Sequence, residues 1–171
     1  RVLWALLAAL RRRGYRDVVV ADGPNVGVER RGIDVLRRLG VDRVAGAHGA
    51  RVVDLNRDRA REVTLSTGVR VRVAATVLEA GFLVSVPKVK THAEAVLTSA
   101  LKNQVGTVVG QDKRRIHRDL AANLVALHEV VRPDLVLLDG VVGMEGDGPG
   151  DGDPFRLGLL AASDHALLND L

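Results

Sequence analysis

Several short segments of this chain are apolar at all or nearly all positions and run into a charged group. "VVVA" runs into Asp22, "FLVSV" leads to Lys88 and Lys90, "LVLL" runs into Asp139, and "LGLLAAS" into Asp164. A strand with one wet face alternates polar and apolar residues, whereas a strand that is apolar throughout must be covered on both faces. Between these runs lie segments with helical spacing, such as Leu120, Leu124, Leu127 and Val131 ahead of Pro133. That alternation predicts an α/β fold, a largely parallel sheet with helices on both faces. "EVTL" and "VRVRV" around "STG" alternate apolar with polar residues instead, and predict a peripheral hairpin.

The same reading places helices over about residues 1–13, stopped by Gly14, over 28–39, stopped by Gly40, over "AATVLEA", over 92–102, and over 118–131. In the fourth of these, Val96, Leu97, Ala100 and Leu101 would form the apolar stripe. With 171 residues and 47% hydrophobic content the chain can bury one substantial core, so residues 1–171 read as a single α/β domain. It starts and stops inside helical segments without an initiator methionine, and reads as a fragment of a longer chain. The apolar run "VLWALLAAL" is too short to span a bilayer, so no membrane segment is expected. No cysteine is present, which excludes a cysteine-ligated iron–sulfur cluster in this chain and points to a cytoplasmic setting.

The carboxyl ends of strands in an open α/β sheet line the crevice where ligands bind, so Asp22, Lys88, Asp139 and Asp164 are expected on one rim. Arginines supply most of the basic residues, and all four lysines (Lys88, Lys90, Lys102, Lys113) fall in one stretch. Residues two apart in an extended segment point the same way, so Lys88 and Lys90 should converge, and converging cations want an anion. Thr91 with Glu94 matches the Thr-x-x-Glu capping box, which would start a helix at Thr91 with free amides beside the lysines. The plainer reading is a capped helix with lysines paired to carboxylates. His92 would then sit at the first helical position, and Lys102 and Asn103 at the far end, where a lysine also suits the helix dipole. Lys88, Lys90, Thr91, His92, Lys102 and Asn103 are therefore the candidate ligand-binding residues.

Two further stretches draw notice. "GTVVGQDKRRIHRD" is either a solvated helix entry or a mobile basic loop. "DGVVGMEGDGPGDGDP" holds six glycines and five carboxylates, fits neither a calcium loop nor a Walker loop, and contributes Asp139 and Glu145 as acid–base candidates. No tight spacing motif supports a metal site.

"VSVPKVKTH", "ALKNQVG", "PDLVLLDGVVGMEGDGPGDG" and "LLAASDHALLNDL" together resemble, in order and spacing, the domain of unknown function 362 family. Many members of that family carry an added ferredoxin-like, cysteine-rich segment, so the resemblance implies a redox context and an iron–sulfur protein or domain as a partner. This chain lacks the segment. It also has Gly81 where the family commonly has an aspartate, and "DHALLNDL" in place of Asp-Pro-Val-Ala-x-Asp.

The expected function is binding of a small anionic or phosphate-bearing ligand at the carboxyl edge of the sheet, with catalysis left open and the cofactor unknown. The alternatives are a non-catalytic partner of an iron–sulfur protein and a weak nucleic-acid binder. Specific nucleic-acid recognition is disfavoured, because Trp4, Tyr15, Phe82 and Phe155 all lie outside the basic segment and none can stack a base there.

Overall fold

The computed structural model describes residues 1–25, 30–110, 112–166 and 170. Helix α1 (Val2–Arg12) ends as its sequence requires, with Gly14 in the left-handed region at φ +91°. Strand β1 (Val19–Asp22) pairs in parallel with β2 (Arg51–Asp54). Of the helix expected over 28–39, residues 28 and 29 lie outside the described residues, and the described part is the single turn α2 (Val35–Arg38). Asp34 starts that turn by accepting the Arg37 amide at 3.0 Å. Gly40, at φ +71°, then divides α2 from α3 (Val41–Ala47).

The hairpin of β3 (Ala60–Thr64) and β4 (Arg70–Ala74) forms a sheet of its own, followed by α4 (Ala75–Leu78). It stands apart from the other sheets, yet its inner face belongs to the main core. Val71 and Val73 pack there with Val105, Val108, Ile116, Leu124 and Leu127. Alternation explains this: Arg70 and Arg72 face water while Val71 and Val73 face inward. The helical side of the core is α7 (Leu120–Val131), capped by Asp119, with the one-turn α6 (Arg114–His117) leading into it. Asn123 is buried on α7 and ties three segments together: its oxygen accepts from the Thr67 hydroxyl at 2.6 Å, and its amide donates to Ile116 O at 3.1 Å.

The third sheet has six strands built around one long one, β8 (Leu135–Glu145). Along one side of it run β5 (Val84–Ser85) and then β6 (Lys88–His92), both parallel to it. Along the other run β10 (Leu159–Ser163) and β9 (Asp153–Phe155), both antiparallel. β7 (Val96–Thr98) pairs antiparallel with β6. The fold is α/β with parallel strands in two of its sheets, but antiparallel pairings are as much a part of it. The expected largely parallel sheet is thus only partly realised.

The largest departure from expectation is at 92–102, where no such helix forms. Residues 88–92 are strand β6, and helix appears only as the turn α5 (Ala100–Asn103). The capping box does not assemble. The Glu94 and Ala95 amides are accepted by His92 Nδ1 at 3.1 and 3.2 Å, and the Glu94 carboxylate is bonded to His117. Val96 sits at φ +62°, a strained position for a β-branched residue, and is 81% exposed where a stripe residue should be buried. A cap contributes only about 1 kcal/mol, less than the ladder bonds and packing that β6 gains between β7 and β8. Helix α5 is capped from afar instead, its Ala100 and Leu101 amides donating to the Asp170 carboxylate at 2.7 and 2.9 Å.

Candidate functional site

The four-group rim expected from the strand ends is not formed. Asp22 belongs to the two-stranded β1–β2 sheet rather than to the sheet of Lys88 and Asp139. Asp164 follows β10, which runs antiparallel to β8 and ends with Ser163 opposite Val136. Reversal of that one strand carries Asp164 past the beginning of β8, away from Asp139.

Lys88 and Lys90 also part company. Lys88 is in register with Asp139 and Lys90 with Met144, so β8 bulges between them. Lys88 Nζ lies 3.0 Å from Asp139 Oδ2 and donates to Val142 O at 2.9 Å, while Asp139 Oδ1 accepts the Val141 amide at 3.2 Å. These two side chains hold the bulge in shape. We expect Lys88→Ala to destabilise the protein by about 1 kcal/mol, since Asp139 is mostly buried while Lys88 is half exposed. Lys90→Ala should leave stability unchanged. Equal denaturation midpoints for Lys88→Ala and the parent would contradict this division of roles.

Lys90 faces another group of residues, gathered from separate segments. Asp22 ends β1 and is in register with Asp54 at the end of β2, so the two carboxylates stand side by side. The turn at 104–107 comes so close that a Cβ on Gly23 would collide with the Gly106 carbonyl oxygen, and one on Gly106 would lie 3.6 Å from Asp22 Oδ1. Asn56 fixes the loop after β1 by donating to Pro24 O at 2.8 Å. Lys113, at the start of α6, lies within electrostatic reach of both aspartates and of Lys102 from α5. Lys102 in turn faces Lys90, Lys113 and His92.

Protonation follows from this crowding. Asp22 keeps solvent access yet has protein on most sides; desolvation raises its carboxyl, although the Gly23 amide, donating at 2.8 Å, and Lys113 and Lys90 all favour the carboxylate. Burial lowers Lys113 to about 8, with Lys102 adding to the shift and Asp22 and Asp54 opposing it. Lys102 is lowered by burial and by Lys90, against the pull of Glu94. His92 is lowered by burial and then by Lys102, so it favours the neutral imidazole. Asp54 has its own partner in Arg57, 3.6 Å away.

The Lys113 shift has a measurable consequence. Unfolded, a lysine keeps its proton to about the ordinary value of 10.5, whereas folded Lys113 releases it at about 8. Between those limits the unfolded chain binds more protons, so the stability of the ligand-free protein rises with pH. Lys102 contributes with the same sign. Lys113→Met is expected to flatten that rise and to be more stable than the parent at pH 7. Denaturant unfolding at pH 7, 8 and 9 checks it, and an unaltered slope in the variant would refute it.

The remaining candidates lie around this group or apart from it. Thr91 and His92, with Ala93, Val96 and Gly146 to Gly148, line an open pocket of about 290 Å³. Asn103 donates to Ser85 Oγ at 3.2 Å. Glu145 is exposed at the end of β8, opposite Asp153. Sequence reasoning underrated Asp22 and Lys113; the signal was the confinement of all four lysines to one stretch, which included Lys113. Among the described residues no three His, Asp or Glu side chains are placed to share a metal ion. The chain contains no cysteine, so it supplies no thiolate to an iron–sulfur cluster.

A family model described as "Domain of unknown function (DUF362)" matches residues 1–171. A thylakoid-associated protein of Synechocystis is 36% identical over 99 residues, which cover 54% of this chain and 31% of that protein. The chain therefore spans under a third of the curated relative that it matches. No helix among the described residues is long and apolar enough to cross a membrane.

Proposed function

The chain belongs to the domain of unknown function 362 family, and on that premise we propose that it binds a small anion, a carboxylate or a phosphate-bearing molecule, where Lys90, Lys102 and Lys113 meet the ends of β1 and β2. The observation that carries this reading is the position of Lys102. It is partly withdrawn from water, repelled by Lys90 and drawn towards Glu94, a carboxylate already bonded to His117. Cations held together at such cost favour an arriving anion, which relieves their repulsion. Neutral His92 can donate one hydrogen bond to an oxyanion, and Asp22 beside Lys113 can exchange a proton with a bound molecule. Lys88 and Asp139, occupied with each other, fall outside this binding group.

The test is thermal. Phosphate and sulfate should raise the melting temperature beyond what chloride does at equal ionic strength, because a ligand bound only by the folded state stabilises it by mass action. Lys90→Ala combined with Lys102→Ala should abolish that increment and leave the unliganded protein no less stable. A destabilised double variant that still responds to phosphate would refute the reading.

A further inference from the structure

A cleft of about 420 Å³ lies between the β3–β4 turn and the junction of α6 with α7, and shares no residue with the lysine group. Arg70 lines it from the hairpin, Arg115 and Arg118 from the helical side. The backbone is helical from Arg114 to Arg118, so residues 115 and 118 fall on one face, while Ile116 is turned into the core. Asn123, almost wholly buried, joins the two sides of the cleft: the Thr67 hydroxyl donates to its oxygen at 2.6 Å, and its amide donates to Ile116 O at 3.1 Å. The hairpin turn is thereby tied to the helices, and a satisfied buried network sets three guanidiniums around one space. Their charges are left largely unanswered. Among the described residues neither Arg115 nor Arg118 has a carboxylate within ion-pairing distance, and Arg70 has Glu62 only at 3.9 Å, both side chains being exposed. Asp112 is taken by Arg114 through two bonds of 2.8 Å. Asp119, the carboxylate that lines the cleft, accepts the Ala122 amide at the start of α7.

We infer that this cleft is a second binding site, independent of the lysine group, and that it takes the diphosphate group of a small molecule through Arg70, Arg115 and Arg118. A guanidinium presents a planar fork of donors that matches two oxygens of a phosphate, which an ammonium cannot do. Three forks address about six oxygens. A diphosphate offers that many at its two ends, where an orthophosphate offers fewer. The volume lies within the range of roughly 300 to 1,000 Å³ usual for small-molecule sites, so room remains for the group that the diphosphate carries. Orthophosphate leaves one fork unfilled in a cleft open to water, and should add nothing measurable to the melting increment assigned to Lys90 and Lys102.

The plainer role for these arginines is to keep a wet surface charged, and exchange for lysine separates the two roles, since it keeps the charge and removes the fork. Inorganic diphosphate is titrated calorimetrically into the parent and into Lys90→Ala with Lys102→Ala, in which the lysine group is dismantled. In that double variant diphosphate should bind about tenfold more tightly than orthophosphate. Adding Arg115→Ala with Arg118→Ala should weaken diphosphate binding by about tenfold and leave the ligand-free melting temperature unchanged, because both side chains are exposed. Arg115→Lys with Arg118→Lys should lose most of the preference for diphosphate over orthophosphate. Equal affinity for the two anions, or lysine variants that bind diphosphate as the arginines do, would reduce the cleft to a patch of positive charge and overturn the inference. A short single-stranded oligonucleotide that binds more tightly than diphosphate, with the same dependence on Arg115 and Arg118, would make it a nucleic-acid surface and overturn it as well. Either failure leaves the lysine site standing, because the deciding titrations are made without it, and a lysine site that fails its melting test leaves this cleft untouched.

Discussion

Gly23→Ala is expected to lower stability by about 3 kcal/mol and, for a chain of this length, the melting temperature by about 6 to 12 °C. The added methyl has no space, because the Gly106 carbonyl oxygen occupies the position and is backbone, which cannot rotate aside as a side chain would. Relief requires the end of β1 to move away from the 104–107 turn. The same movement would draw Asp22 from Lys90 and Lys113, so the variant should also lose much of its response to phosphate. Gly46 provides the opposite control. It lies inside α3 with nothing near its missing Cβ, and alanine there should stabilise by about 0.5 to 1 kcal/mol through backbone entropy and helix propensity. Melting curves decide it: a Gly23→Ala protein that melts like the parent would show that β1 and this turn do not touch.

Lys102→Ala should weaken phosphate binding by about 30-fold or more, the loss of about 2 kcal/mol expected when one partner of a desolvated charge contact is truncated. The cost falls on the complex and not on the free protein, where Lys102 is repelled by Lys90, Lys113 and His92. Titration calorimetry with phosphate, beside unfolding of the ligand-free variant, separates the two. Lys88→Ala is the comparison, with the reverse pattern expected: reduced stability and unchanged affinity, since Lys88 is committed to Asp139. If Lys102→Ala unfolds more readily and binds phosphate as the parent does, Lys102 is a structural residue and the site loses its centre.

Much of the secondary structure was legible because its causes are local. The stop of α1 at Gly14, the stripe of α7 running to Val131 before Pro133, and the alternation that turns Val71 and Val73 inward each follow from a few adjacent residues. The apolar runs marked the strands β1, β5, β8 and β10, but not the burial on both faces expected of them, for Leu159 and Leu160 of β10 and Ala21 of β1 are exposed. The lysine stretch likewise pointed to a site before any residue had a position in space.

What the sequence left undetermined were relations between distant segments. Nothing local in "LGLLAAS" states which way the strand will run, and pairing β10 antiparallel to β8 took Asp164 from the rim. Thr91 to Glu94 carries a helix-start signature, but the ladder with β7 and β8 outweighs a cap that stabilises by about 1 kcal/mol. Period-two geometry should have joined Lys88 to Lys90, and the bulge in β8, a property of the partner strand, divided them. The close contact of Gly23 with Gly106 brings Asp22 beside lysines more than sixty residues away in the chain. Strand direction, register and the approach of one backbone to another are fixed by the summed packing of the whole molecule, so only the tertiary structure decided which charges would meet.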